Sequence, residues 1–141
     1  MVKKEKTIVV HSRKKTADAR VTIGPGKGSF KINGTPINLV MPKIAHDVIN
    51  EPFQLAREVL GDDFLSSIDV SANLRGGGVM GQALAARTGI GKALLEYTNN
   101  EALKKLFAEY DRSLFVSDVR AKESKKFLRN GARAKPIKAY R

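Results

Sequence analysis

Cysteine is absent from all 141 residues. That excludes disulfides and thiolate metal centres and suits a reducing, cytosolic compartment. Long apolar runs are absent as well: no stretch approaches the roughly 18 consecutive apolar residues that a membrane-spanning helix needs. The charged start, MVKKEK, leads only into the short apolar run TIVV, too brief for the hydrophobic region of a secretory signal. Histidine is scarce, with His11 and His46 alone, and no ligand spacing to carboxylates accompanies them. Both read as structural. Ser, His and Asp all occur, but no nucleophile sits in a recognisable elbow, so no catalytic residue, cofactor or metal site is assigned. Acidic residues are few: 14 Asp and Glu stand against 26 Lys and Arg, a net charge of +12. A surplus of that size points to nucleic acid or an anionic membrane surface.

What remains is enough for one folded domain and an appendage. Hydrophobic residues make up 42% of the chain, a globular proportion, and the length suffices to bury a core without staples. The first forty residues predict an antiparallel meander. Residues 7–11 are β-branched, 19–23 alternate, and the basic run SRKKTAD at 12–18 connects them. The GPGKG turn at 24–28 leads into 29–33, and Asn33-Gly34 is a strong hairpin signal. Two short helices follow, one opened by Pro42 and one by Pro52, the second stopped by Gly61. Residues 68–75 alternate as a half-buried strand. A long helix then carries Val79, Ala83, Ala86, Ile90, Leu94 and Tyr97 on one stripe, and a further helix is capped by Asn99 or Asn100. Residues 113–117 predict a last short strand. This order gives an α+β fold, a two-layer sandwich of sheet and helices. Phe30, Phe53, Phe64, Phe107 and Phe115 read as core.

The composition shifts near Asp118. Between residues 120 and 141 cations recur every few positions, Glu123 alone opposes them, and the apolar residues follow neither the helix nor the strand period. Such a segment buries too little apolar surface to offset its ordering entropy and should be unstructured alone. Extended, it reaches on the order of 70 Å. Division into a globular part, 1–117, and a basic tail, 118–141, follows. The tail's counter-surface is expected to be a polyanion.

Three glycine motifs carry competing readings. GPGKG resembles a phosphate cradle but lacks P-loop spacing and a following helix, so a turn is the better account. Arg75-Gly-Gly-Gly78 feeds a helix N-terminus, where unpaired amides and the helix dipole suit a phosphate; equally, glycines let the turn close tightly. Gly89 and Gly91 inside the long helix point to close packing by another backbone. Tyr140 in the tail is either a ring that stacks on a base or an ordinary exposed tyrosine. The cations cluster at residues 3–6, at 13–15 with Arg20, and in the tail, with Arg75 and Arg87 flanking the glycine-led helix start. That scatter suits several phosphate surfaces of a folded RNA more than one groove.

Several runs together resemble a known family: RKKTADARV at 13–21, GPGKG at 24–28, ING at 32–34, RGGGVMGQA at 75–83, RTGIG at 87–91, KKF at 125–127 and GARA at 131–134. They look like ribosomal protein nine of the small subunit, in order over nearly the whole chain. YDR at 110–112, DVR at 118–120 and the final Tyr-Arg resemble the archaeal and eukaryotic branch, and an archaeal source is expected. The resemblance implies a left-handed βαβ crossover like that of the second domain of ribosomal protein five. It also implies a cytoplasmic place in the head of the small ribosomal subunit, with ribosomal RNA and neighbouring ribosomal proteins as partners. The tail is then expected to run towards the peptidyl-site tRNA anticodon stem, with Lys138, Tyr140 and Arg141 nearest. Ala139, Pro136-Ile137 and Gly91-Lys92 depart from the family's usual residues, and Lys92 offers charge without a bidentate fork.

The reading is a non-enzymatic RNA-binding protein. Arg13, Lys14, Lys15, Arg20, Arg75 and Arg87 are expected to hold ribosomal RNA phosphates around the domain, and Lys122, Lys125, Lys126, Arg129, Arg133 and Lys135 along the tail. The alternative is a small-molecule kinase of the galactokinase-like superfamily, with residues 75–81 at ATP. Against it stand the chain's length and the missing serine-rich phosphate loop. A membrane partner ranks last, because the tail has no amphipathic apolar face.

Overall fold

The computed structural model describes residues 7–137 and 139. Five strands, β1 (Ile8–Lys14), β2 (Ala17–Pro25), β3 (Phe30–Ile32), β4 (Thr35–Pro36) and β5 (Ile68–Arg75), form one mixed sheet in the order β1-β2-β5-β3-β4. Three helices, α1 (Lys43–Ser66), α2 (Val79–Thr98) and α3 (Glu101–Tyr110), complete the α+β fold. Strict alternation decides where they pack. Ala17, Ala19, Val21 and Ile23 on β2, and Ile68, Val70, Ala72 and Leu74 on β5, are buried beneath helices, while their neighbours face solvent. One face of the sheet is therefore covered and the other open.

The expected meander does not form. Asn33-Gly34 does join β3 to β4, but β5 arrives from α1 and takes the place between β2 and β3. It pairs antiparallel with β2 and parallel with β3, matching Phe30 to Val70 and Ile32 to Ala72. Residues 24–28 thus bridge strands that never pair, and the Gly26 and Gly28 amides donate to the Ser67 and Ile68 carbonyls at 2.9 and 3.1 Å. The run 12–18 is not a long connection either: β1 continues to Lys14 and β2 starts at Ala17, leaving Lys15-Thr16 as the turn. Charged residues are tolerated in these strands because Arg13, Asp18 and Arg20 fall on the open face. Ser12, on the covered face, donates its hydroxyl to the Ala85 carbonyl.

Pro52 opens no new helix. It lies buried inside α1, beside Ile49, Phe53 and Ala56, where packing outweighs the lost backbone bond. The expected stop at Gly61 is a real break, with φ 79° and ψ 168°. Phe30 and Phe53 stack at 4.3 Å between ring centroids, and Asn100, not Asn99, caps α3 through the Ala102 amide. The expected last strand at 113–117 is replaced by a 3-10 turn, Arg112–Leu114, whose Leu114 is buried.

Helix α2 lies across β1 and β2 with Ala83, Ala85, Ala86, Gly89 and Ala93 on its inner side. A side chain at Gly89 would meet Val21 Cγ2 at 2.7 Å, and one at Gly91 would run into the Leu114 carbonyl oxygen. Close packing is what both glycines supply. Gly91→Ala should therefore destabilise the chain by about 1–2 kcal/mol, because forced backbone displacement outweighs the gain in helix propensity. Gly81→Ala, whose new methyl would meet only Ala17 Cβ at 3.5 Å, should instead stabilise by about 0.5 kcal/mol. Urea unfolding of the two variants checks the opposed signs.

Candidate nucleic-acid interface

The open face of the sheet is mainly polar, and its charges are mostly cationic, with Arg13, Arg20, Lys31 and Arg75 against Asp18 and Asp69. Strand register sets His11, Arg20 and Asn73 in one row and Arg13, Asp18 and Arg75 in the next, with Lys31 beside Ser71. Arg20, Asn33, Asn73 and Arg75, with Asp18, line a cleft at this face. The second row ends at the β1–β2 turn, where Lys15 adopts a left-handed φ of 55° and Arg13 Nε donates to its carbonyl at 2.8 Å.

That turn presses on the glycine run after β5. A side chain at Gly76 would meet the Thr16 carbonyl oxygen at 2.5 Å, and one at Gly77 would meet Ala17 Cβ at 2.9 Å; both glycines have positive φ. The tight-turn reading of residues 75–78 thus has its steric reason. The start of α2 has no side-chain cap and no acidic residue in its first turn, so its positive dipole end stands beside Arg75. The GPGKG loop, by contrast, already holds an anion. Asp69 accepts from the Lys27 and Ser29 amides at 2.8 Å each, and these bonds, Ser29's first, hold its carboxyl below the usual range. A phosphate would have to displace a residue of the chain itself.

Arg87 stands apart from the other expected phosphate contacts. It is only 8% exposed. Its Nε donates to Glu51, Nη1 to Ser113 Oγ at 2.9 Å, and Nη2 to Asp111 at 2.8 Å, tying α1, α2 and the segment after α3 together. Tyr110 adds a bond to Glu51 at 2.6 Å. Burial alone would lower the Arg87 pKa, but Glu51 and Asp111 more than reverse it. Burial likewise opposes the Asp111 charge, yet the Ser113 hydroxyl and amide and Arg87 leave its carboxyl below the usual range.

The segment that leads into the tail is strapped to α2 and β1. Thr88 Oγ1 donates to the Ser113 carbonyl at 3.0 Å, Lys92 bonds Ser117, and Lys14 from β1 pairs with Asp118. Arg120 folds back on Asp118 through Nε and Nη2 at 3.0 and 2.7 Å. Arg120 first, then Lys14, hold the Asp118 carboxyl far below the carboxylate range. Beyond Arg120 the described residues form no helix or strand. Arg133 forks onto Glu123 at 2.9 and 2.6 Å; Lys122, Lys125, Lys126 and Lys135 are exposed, and Arg129 is half-buried. Lys138, Tyr140 and Arg141, and residues 3–6, lie outside the described residues.

The basic hairpin, Arg75, the start of α2 and the tail's root therefore meet at one end of the domain. Sequence reasoning found the cations but missed Glu51, Asp111 and Asp118, their internal counter-charges, and Asp69, the anion inside the GPGKG loop. For Arg87 a signal existed: it interrupts a helical stripe of Ala83, Ala86, Ile90 and Leu94.

Removing Glu51 leaves the buried Arg87 Nε without an acceptor and Asp111 as its remaining counter-charge, so Glu51→Ala should cost about 2 kcal/mol in urea unfolding. The lowered Asp111 pKa makes its contribution complete above the unfolded carboxylate pKa, about 4, and lost as pH falls through the lower folded value. Asp111→Asn should flatten the acid limb of stability below pH about 4, measured by unfolding across pH 2–7.

Sequence comparison places these features. Residues 12–141 match the family described as ribosomal protein S9/S16. A small ribosomal subunit protein uS9 of Methanothrix thermoacetophila is 47% identical over 136 residues, 96% of this chain and 99% of that protein. The uS9 of Halobacterium salinarum is 43% identical, covering 92% of this chain and 95% of its own length. That of Thermoplasma acidophilum is 42% identical over 95% of this chain and all of its own. With a match that runs from the middle of β1 to the last residue, and archaeal relatives alike in length, the chain belongs to the ribosomal protein S9/S16 family.

Proposed function

We propose that this chain is a structural constituent of the small-subunit head, seated on ribosomal RNA by its basic end and open sheet face. The observation that carries the reading is the junction at Lys14 and Asp118, which joins the cationic hairpin to the root of the cationic tail. Arg13, Lys15, Arg20 and Arg75 meet phosphates around the domain; Lys122, Lys125, Lys126, Arg129 and Lys135 meet them along the tail. Lys14, Arg87 and Arg133 are already answered by Asp118, by Glu51 and Asp111, and by Glu123. Lys14 and Arg133 become phosphate ligands only by leaving those acids, and Arg87 serves the fold.

Within this reading residues 1–117 are the seated domain and 118–141 the tail that RNA orders. The β3–α1–β5 crossover takes the left-handed sense of the family, and neighbouring proteins of the head pack alongside. The tail's last residues, Lys138, Tyr140 and Arg141, approach the anticodon stem of peptidyl-site tRNA. As a member of a ribosomal protein family the chain is a non-enzymatic ribosome component, which removes the kinase-like alternative. No described helix is long and apolar enough to cross a membrane.

Binding to small-subunit ribosomal RNA should weaken steeply with salt. Arg75→Gln should lower the slope of log affinity against log salt by about 1, as loss of one phosphate contact requires. A salt-independent affinity, or an unchanged slope in the variant, would remove Arg75 from the interface. Deleting residues 138–141 should leave folding and subunit assembly intact and weaken peptidyl-site tRNA binding. A truncated chain that fails to assemble would end the proposed role of the tip.

A further inference from the structure

The tail contains a small built feature that electrostatic binding does not use. Residues 126–129 form a β-turn closed by the Arg129 amide donating to the Lys126 carbonyl at 3.2 Å. Phe127 and Leu128 occupy its two corners, and Leu128 has a φ of 57°. Glycine or asparagine suits that left-handed corner; a leucine there is held against its own steric preference. Five residues out on either side, the Glu123 carboxylate receives the Arg133 fork and gathers the flanks of the turn. Among the described residues nothing buries the side chains so presented: Phe127 is 90% exposed and Leu128 78%. Lys125, Lys126 and Arg129 flank them along the chain.

An exposed ring at a turn, flanked by cations along the chain, has two needs. Its faces require a flat apolar surface, and its neighbours require anions. A purely apolar protein groove meets the first need and strands three cations; a phosphate track meets the second and leaves the ring in water. An unpaired nucleobase meets both, offering a π-face for the ring and phosphates on either side for the cations.

We propose that the turn at residues 126–129 is a base-reading site, in which Phe127 stacks on an unpaired nucleobase of ribosomal RNA while Lys125, Lys126 and Arg129 hold the flanking phosphates. Leu128 packs against the edge of the same base or its sugar. The Glu123–Arg133 clasp narrows the loop's conformations before RNA arrives and so reduces the ordering cost of binding. This inference rests on the ribosomal RNA reading above and assigns one of its contacts to stacking instead of charge.

The full chain contains no tryptophan, so Phe127→Trp installs a single indole at the turn. Titrated with small-subunit ribosomal RNA, that indole should lose most of its fluorescence, as stacking on a base quenches it. Phe127→Ala should bind the same RNA about ten-fold more weakly, with the salt slope of the wild type unchanged, since no phosphate contact is lost. Chemical probing should show one base, protected by wild type, becoming reactive with Phe127→Ala. An indole that brightens and shifts to the blue on binding would indicate an apolar pocket and overturn the proposal, as would alanine binding equal to wild type. Failure of the broader reading looks different: the wild-type chain itself would then show no salt-sensitive RNA binding.

Discussion

The close seating of α2 on the sheet is the constraint from which the rest of the molecule follows. Gly89 lets the helix sink against Val21 and Ser12, and Gly91 lets the Leu114 backbone cross it. A bulkier seam would lift α2 off β1 and β2, and the glycine turn at 76–78 could no longer lie under the β1–β2 hairpin. It would also displace the 3-10 turn from which the tail starts. Two helical glycines, each unfavourable by about 1 kcal/mol in propensity, are thus compensated by packing that fixes both ends of a functional surface.

A second division, of charge, is laid over this frame. Fourteen acids cannot balance 26 cations, but their placement is selective. Glu51 and Asp111 meet Arg87 where burial makes an uncompensated cation most costly. Asp118 meets Lys14 and Arg120 where the tail leaves the domain. Among the described residues, no ion pair engages Arg13, Lys15, Arg20 or Arg75 on the sheet side, or Lys122, Lys125, Lys126, Arg129 or Lys135 in the tail. The cations that stabilise the fold and those left for a polyanion are therefore different residues, although composition makes them look alike.

That distinction marks what the sequence could show. The alternation of residues 68–75, the stripe of α2 from Ala83 onward (Val79 is exposed), the break at Gly61 and the glycine packing inside α2 were legible, since each is written in a local period or in a residue's own stereochemistry. The insertion of β5 between β2 and β3 was not, because parallel pairing joins residues about forty apart and leaves no local trace. Charge at 13–15 and 18 suggests a connection by local composition, whereas Arg13 and Asp18 stand on the open face of strands that run to Lys14 and from Ala17. The chemistry followed the same rule. A basic tail is visible to counting, whereas Asp69 inside the GPGKG loop and Asp118 on Lys14 are partners from distant segments. The resemblance to a known family supplied what local periods could not, the biological setting.

The strap from Ser113 to Arg120 changes how the tail must behave. A chain tethered by one flexible link would search a wide volume and lose all of that freedom on binding. Here Thr88, Lys92 and Lys14 fix successive points of the root, so the path of the tail is already directed where it departs. On the function proposed above, a domain seated on RNA would present the tail to its phosphates at high effective concentration, each further contact costing only local ordering. Because Asp118 is shared by Lys14 and Arg120, the hairpin and the tail's first cation respond to the same carboxylate. Displacement of one by phosphate strengthens the hold of that carboxylate on the other. On the function proposed above, seating of the domain and ordering of the tail would be coupled through this single acidic side chain.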